Sequence, residues 1–232
     1  MLALITGATK GIGRAIVEAL SDEGHDIIAI SSSSDNLTLL KNEIESKYGN
    51  NCHTLACDLT NYESRKKLII NLSPFHDNID ILVNNFGQYA VGSIEEETSA
   101  SITALFNTNF LSAFEISQPL MKAFKIKKSG FIFNILSVLA KDVRPAAASY
   151  SISKHALKAL NDLMKEELRP FGVKVCGIYP GSVNTPSWDG IPIDRSKMIQ
   201  PEDIASFIQN SIKVSPNAFM EEITFRPIDP EV

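Results

Sequence analysis

In the stretch SYSISKHALK, residues 149 to 158, Tyr150 and Lys154 stand four positions apart. That spacing places both side chains on one face of a helix. A tyrosine beside a lysine can act as a proton donor, because a nearby ammonium favours the tyrosinate left behind. The same pair can equally be an ordinary surface contact. A second Tyr-x-x-x-Lys occurs in YESRK, at Tyr62 and Lys66. Spacing alone does not separate the two, so the choice falls to the elements that hold them.

Those elements alternate along the chain. Short β-branched runs read as strands at LALIT (2–6), DIIAI (26–30), CHTLAC (52–57), IDILVNN (79–85), GFIFNILS (130–137), VKVCGIYP (173–180) and EITFRP (222–227). Segments with helical periodicity lie between them. They span 13–24 closed by Gly24, 35–49, 63–72, 99–127, 149–169 stopped by Pro170 and Gly172, and 201–213 opened by Pro201. Glycine ends helices readily, and proline costs little at a helix start. The strands are nearly continuous apolar runs, as strands covered on both faces are. Strand–helix alternation predicts a parallel sheet with right-handed crossovers. No linker, repeat or charge block divides the 232 residues, which predicts one doubly wound α/β domain over 1–232.

Composition excludes several classes. Apolar residues make up 44% and charged residues 21%, ordinary for a globular chain with a substantial core. A net charge of −5 without a basic stripe argues against nucleic acid. The densest basic run, KAFKIKK (122–128), reads as a helix end, where cations suit the dipole. Cys52, Cys57 and Cys176 have neither metal-ligand spacing nor an even count, so they read as buried thiols, and no metal is expected. Sparse cysteine fits a reducing cytoplasm. MLALITG lacks a secretory pattern, and no apolar run approaches the roughly 20 residues that span a bilayer. A cytoplasmic protein without membrane partners is expected.

The first strand runs directly into TGATKGIG (6–13), which opens the first helix. Gly7, Gly11 and Gly13 suit a tight turn, close approach of a pyrophosphate, and close helix–sheet packing. The helix N-terminus adds free N–H groups and a positive dipole for phosphates. The strand–glycine loop–helix context is what a dinucleotide site requires.

The Gly-x-x-x-Gly-x-Gly spacing resembles the short-chain dehydrogenase/reductase family, in which TGxxxGIG opens the chain. The resemblance continues in order through CDLT (57–60), NNFG (84–87), FNTNFLSAF (106–114), NILS (134–137), YSISK (150–154) and PGSVNT (180–185). It points to the branch containing 3-oxoacyl-carrier-protein reductases. It implies a Rossmann domain with a mostly parallel seven-stranded sheet, 1–90 mainly binding cofactor and 91–232 carrying catalysis and substrate. The family pattern implies cofactor contacts from Gly7, Thr9, Lys10, Gly11, Ile12 and Gly13, then from Ser31 and Ser32. It further implies contacts from Asp58 at the adenine, Leu59, Asn85 and Gly87, from Tyr150 and Lys154, and from Pro180, Gly181, Val183 and Thr185 over the nicotinamide. Asn109, Ser137, Tyr150 and Lys154 fall on its catalytic positions.

That register separates the two tyrosines. Tyr150 has Ser137 upstream at a strand end and opens a long helix; Tyr62 has Gly49 at the same offset. YSISK is therefore assigned to chemistry and YESRK to a solvated helix face. Carbonyl reduction needs a hydride, which the cofactor carries, and a proton on oxygen. Tyrosine has an ordinary pKa of about 10, and Lys154 is expected to lower it by roughly one to three units. Ser137 can donate to the substrate oxygen. The resemblance adds bonds from Lys154 to the nicotinamide ribose, and a water held by Asn109 that connects Lys154 to solvent.

Cofactor choice turns on the end of the second strand. NAD sites usually carry an acid there. Here Ser31, Ser32 and Ser33 are neutral and Asp35 comes late. Hydroxyls together with Lys10 suit a 2′-phosphate, so NADP(H) is expected over NAD(H). An NAD-dependent alcohol dehydrogenase using Asp35, and a non-catalytic dinucleotide sensor, are the alternatives. Phe86 replaces the small residue of the family's NNAG. A lid is expected at about 186–200, with Trp188, Ile191, Ile193 and Met198 as its apolar wall. The expected substrate is a small carbonyl compound or acyl thioester, and Arg144 and Arg195 are candidates for an acyl-carrier contact. EEITFRPIDPEV lacks the glycine pair that follows the last strand in many members. The resemblance implies a homodimer or homotetramer through the helices at 99–127 and 149–169. Leu157, Leu160 and Met164 suit either that contact or the core.

Overall fold

The computed structural model describes residues 1–229. The last three residues of EEITFRPIDPEV, and so the end of the single domain expected over 1–232, lie outside the described residues.

Seven strands form one sheet: β1 Leu2–Thr6, β2 Asp26–Ser31, β3 Cys52–Ala56, β4 Ile79–Asn84, β5 Phe131–Ile135, β6 Lys174–Pro180 and β7 Glu222–Phe225. Their order is β3-β2-β1-β4-β5-β6-β7, and every neighbouring pair is parallel. The sheet is thus wholly parallel rather than mostly so. Chain order reverses between β1 and β4, which opens a crevice at the strands' carboxyl ends.

Alternate strand residues face opposite layers. Ile5, Ile27, Val83, Phe133 and Ile178 pack with α1 (Gly11–Asp22), α2 (Ser34–Tyr48) and α7 (Pro201–Ser211). Leu4, Ile28, Leu82, Ile132 and Val175 pack with α3 (Tyr62–Leu72), α5 (Ser112–Lys127) and α6 (Ala148–Leu168). Each such side chain, fully buried, contributes about 1.5–3 kcal/mol. Leu157 and Met164 are buried, and Leu160 packs against them, so this row of α6 serves the core. The three cysteines are buried and free.

Local chemistry sets the helix starts. Ser33 accepts from Asn36 N at 3.2 Å and caps α2; Asn61 accepts from Ser64 N at 2.9 Å and caps α3. The helical region expected over 99–127 is interrupted. α4 (Ser99–Phe106) passes into a π-helical turn, Asn107–Leu111, before α5. Such turns gather at functional sites, and this one carries Asn109. No helix among the described residues is long and apolar enough to cross a membrane.

Candidate active site

The carboxyl ends of β1, β2, β4, β5 and β6 open on one cleft of about 950 Å³. At one end of it lies the glycine loop. Gly7 and Gly11 have φ of +65° and +50°, the left-handed region where a side chain is strained. At Gly13 a Cβ would lie 2.2 Å from the carbonyl oxygen of Gly7, so the first helix can sit this close to the strand only without a side chain. Lys10 occupies the cap position of α1 without capping it, and the first turn carries no acid. The N–H groups there are left to an anion, as a pyrophosphate requires. The loop is braced by Asn85, whose Nδ2 donates to the carbonyl of Thr6 at 2.9 Å.

At the end of β2, the Thr9 and Ser31 hydroxyls are 2.9 Å apart. Ser31, Ser32, Ser33 and Asn36 line this part of the cleft with Lys10; the acid among the described lining residues is Asp229, beyond β7, which pairs with Lys197. Asp35 stands in the first turn of α2, outside the lining. Ser33 is committed to capping α2. Leu59 and Cys57 line the adjoining wall. Asp58 does not. Its carboxylate turns to Thr60, accepting from Thr60 N at 3.0 Å and from its hydroxyl at 2.7 Å. This local turn holds the acid expected at the adenine away from the cleft wall.

The chemistry-bearing groups gather at the other end. Ser137, Tyr150 and Lys154 line one wall, with Gly87 close by. Ser137 leaves β5 in extended backbone, its Oγ accepting from Leu139 N at 3.1 Å. α6 then places Tyr150 and Lys154 one turn apart. Lys154 is 4% exposed, and its Nζ donates to the carbonyl of Ile135 at 2.9 Å. Burial pushes its pKa down to about 8. The Tyr150 phenol is pushed up to about 12, chiefly by burial, with contact from Ser137 acting the other way and Tyr89 adding to the rise. This corrects the lowering expected from Lys154. The ammonium lies 5.8 Å from the centre of the tyrosine ring and is anchored to a backbone carbonyl.

Asn109 is fully buried behind this wall, outside the cleft lining. Its Oδ1 accepts from Gln88 N at 2.7 Å, and its Nδ2 donates to Gln88 O and to Ser153 Oγ, both at 2.9 Å. A Cβ on Gly87 would sit 3.2 Å from Asn109 Oδ1 and 3.3 Å from Lys154 Nζ, so the glycine admits both groups. The other family-implied residues, Ile12, Pro180, Gly181, Val183 and Thr185, all line the cleft, as does Phe86. Phe86 also packs on the core layer of α3, α5 and α6.

The lid differs from expectation in two places. Trp188 and Ile191 line the cleft, whereas Ile193 does not and Met198 is buried away from it. Arg195, a candidate for a carrier contact, is engaged within its own loop. Its guanidinium donates to Asn184 Oδ1 at 2.7 Å, Asp189 Oδ1 at 2.8 Å and Thr185 O at 2.8 Å, stapling the loop after β6. Arg144 does line the cleft and is exposed. Sequence reasoning missed Tyr89, which also lines the cleft and meets Tyr150 edge-on with ring centres 4.9 Å apart. Its place just past the carboxyl end of β4 was the available signal. Arg226 and Pro227, beyond β7, were missed as well.

The short chain dehydrogenase family profile matches residues 1–195. A probable short-chain type dehydrogenase/reductase, VdlC, of Helicobacter pylori is 31% identical over 188 residues, covering 81% of this chain and 66% of that one. Among solved structures, a betaketoacyl-ACP reductase (FabG) of Bacteroides thetaiotaomicron is 29% identical with a TM-score of 0.84, covering 98% of this chain and 96% of that one. A metagenomic short-chain oxidoreductase in complex with NADP is 26% identical with the same TM-score of 0.84, covering 99% and 97%. An all-parallel sheet, a glycine loop at its switch point and a matching profile over most of the sequence together establish that this chain belongs to the short-chain dehydrogenase/reductase family of oxidoreductases.

Proposed function

We propose that this oxidoreductase reduces a carbonyl compound with NADPH, or oxidises the matching secondary alcohol with NADP, and that Tyr150 is its proton donor. The observation that carries the reading is the single cleft. One wall holds Ser137, Tyr150 and Lys154, and the far end holds an uncapped helix N-terminus behind glycines that exclude side chains.

A nicotinamide dinucleotide, which the glycine loop and the wall of Tyr150 and Lys154 would hold, would supply the hydride when bound. Tyr150 gives its phenolic proton to the carbonyl oxygen, and Ser137 donates a hydrogen bond to that oxygen as charge develops. Lys154, its ammonium 5.8 Å from the ring centre, offsets part of the cost that burial puts on the tyrosinate that results. Asn109 holds Gln88 and Ser153 behind the pair and retains the relay role that the family pattern implies.

For the phosphate, support comes from charge. Lys10, Ser31 and Ser32 line the adenosine end, and Asp35 stays outside it. The 26% identical relative in complex with NADP agrees with this choice. For the substrate, Tyr89, Val138, Leu139, Trp188 and Ile191 favour an apolar body beside the carbonyl. The 29% identical betaketoacyl-ACP reductase favours a 3-oxoacyl thioester, with Arg144 as the remaining candidate for a carrier contact. Self-association through α4, α5 and α6 belongs to the same proposal, since Phe114, Ile152 and Leu163 are exposed there.

Calorimetric titration with NADPH and NADH in one buffer tests the cofactor. Tighter binding of NADPH is expected, and a preference for NADH would transfer the reading to alcohol oxidation with NAD. With NADPH and a panel of 3-oxoacyl thioesters, ketones and quinones, Tyr150→Phe should abolish turnover and still bind cofactor. Near wild-type rates in that variant would overturn the mechanism.

A further inference from the structure

One charge sits where an apolar side chain would suffice. Arg65 is 1% exposed and shares the buried face of α3 with Leu68 and Leu72. Its Nε donates to Glu115 Oε2 at 2.7 Å and its Nη2 to Glu115 Oε1 at 3.3 Å. Its Nη1 donates to the carbonyl oxygen of Leu59 at 3.0 Å. Glu115 stands in the first turn of α5, just beyond the π-helical turn. A buried ion pair adds little net stability over apolar packing of the same shape, so what the pair touches is the better guide to its role.

Those three bonds tie together α3, α5 and the loop after β3. Leu59, the loop residue so held, is 2% exposed and lines the cleft beside Cys57. A guanidinium suits this task where an ammonium does not. Its planar fork meets a carboxylate with two N–H groups and still offers a third elsewhere. We infer that the Arg65–Glu115 pair is a positioning device that fixes Leu59 as the wall against which the adenosine half of the dinucleotide packs. The inference rests on the cofactor placement proposed above and extends it to residues that touch neither cofactor nor substrate.

The test is calorimetry of NADPH and of adenosine 2′,5′-bisphosphate binding to the wild-type chain, to Arg65→Leu/Glu115→Leu and to Arg65→Lys. The double variant removes both charges together and leaves only the Leu59 carbonyl without its donor, so it should fold and unfold near, or modestly below, the wild-type temperature. It should bind both ligands about tenfold more weakly, the worth of one charge-assisted bond. Arg65→Lys should lose about three- to fivefold for both, because it keeps the charge without the fork. Binding of the bisphosphate within twofold of wild type by the double variant would overturn the inference. So would weakening confined to NADPH, which would place the effect at the nicotinamide end. If the double variant does not fold, Arg65→Lys decides by the same criteria. A wild-type chain that prefers NADH loses only the phosphate assignment, and the comparison then uses NADH and adenosine 5′-monophosphate. A wild-type chain that binds neither nucleotide sinks the cofactor reading, and this inference with it.

Discussion

Arg65 and Lys154 are both cations removed from water, at 1% and 4% exposure, and they are housed in opposite ways. Arg65 faces a carboxylate with two bonds and a carbonyl with a third. Lys154 donates to the Ile135 carbonyl, and no carboxylate among the described residues offsets its burial, which is why its pKa falls to about 8. A paired buried charge can be satisfied by the fold alone. An unpaired one is an expense the fold tolerates, and such perturbed groups in a cleft mark chemistry.

Substitution should separate the two. The largest effect is expected on catalysis. Lys154→Met and Tyr150→Phe should each lower kcat by about 10²–10⁴-fold, the range of a lost acid–base group. Initial rates of NADPH oxidation with any carbonyl the wild type turns over would measure this. Stability should move in the other direction. Arg65→Met strands Glu115 and should cost about 3–5 kcal/mol, whereas Lys154→Met removes an unpaired buried charge and should leave the denaturant midpoint unchanged or higher. Equal midpoints for the two variants would erase the distinction between these cations.

A subtler sharpening comes from pH. The folded pKa of Lys154 lies near 8, below its ordinary 10.5. Between those values the unfolded chain binds the extra proton, so stability should rise with pH across this window. The wild type should gain on Lys154→Met by on the order of 3 kcal/mol from pH 8 to pH 10.5. Urea melts of both proteins at several pH values would read the difference, and a flat difference would mean that the lysine is not buried as charged. The smallest effect is expected at Asp58. Asp58→Asn keeps the turn with Thr60 and should leave NADPH affinity within about twofold, since one exposed polar contact is worth little; a larger loss would return Asp58 to the cofactor.

How much of this was legible in the sequence followed from how local the cause was. Strand and helix positions came from local pattern, because short β-branched apolar runs such as DIIAI and GFIFNILS suit strands covered on both faces and the longer periodic segments between them suit helices. The glycine loop was legible because a left-handed Gly11 and a side-chain-free Gly13 are local requirements. What failed was long-range. Arg65 lies inside YESRK, which read as a solvated face; Tyr62 is indeed exposed, but the carboxylate that explains the arginine is 50 residues away. The staple made by Arg195, itself a candidate for a carrier contact, was not legible because Asn184 and Asp189, which it bonds, belong to a loop whose path the sequence does not give. The Tyr150 pKa was missed because burial, absent from any motif, dominates it, while the neighbouring lysine is anchored to the Ile135 carbonyl. Asp58 is the exception: its partner Thr60 lies two residues on, and Asx turns have that reach.

The π-helical turn at Asn107–Leu111 has a consequence for how this segment can vary. It holds one residue more than the α-helical turn it replaces, and each α-helical residue advances about 100° around the axis. Length here therefore acts as angle. Deleting one residue would not shorten a loop; it would turn the whole of α5 against α4, swinging Asn109 off Gln88 and Glu115 off Arg65 in a single stroke. The half-buried positions in this stretch, Asn107, Phe110 and Leu111, can change identity at less cost than Thr108 and Asn109, but their number is fixed by a rotational phase that two ends of the cleft share.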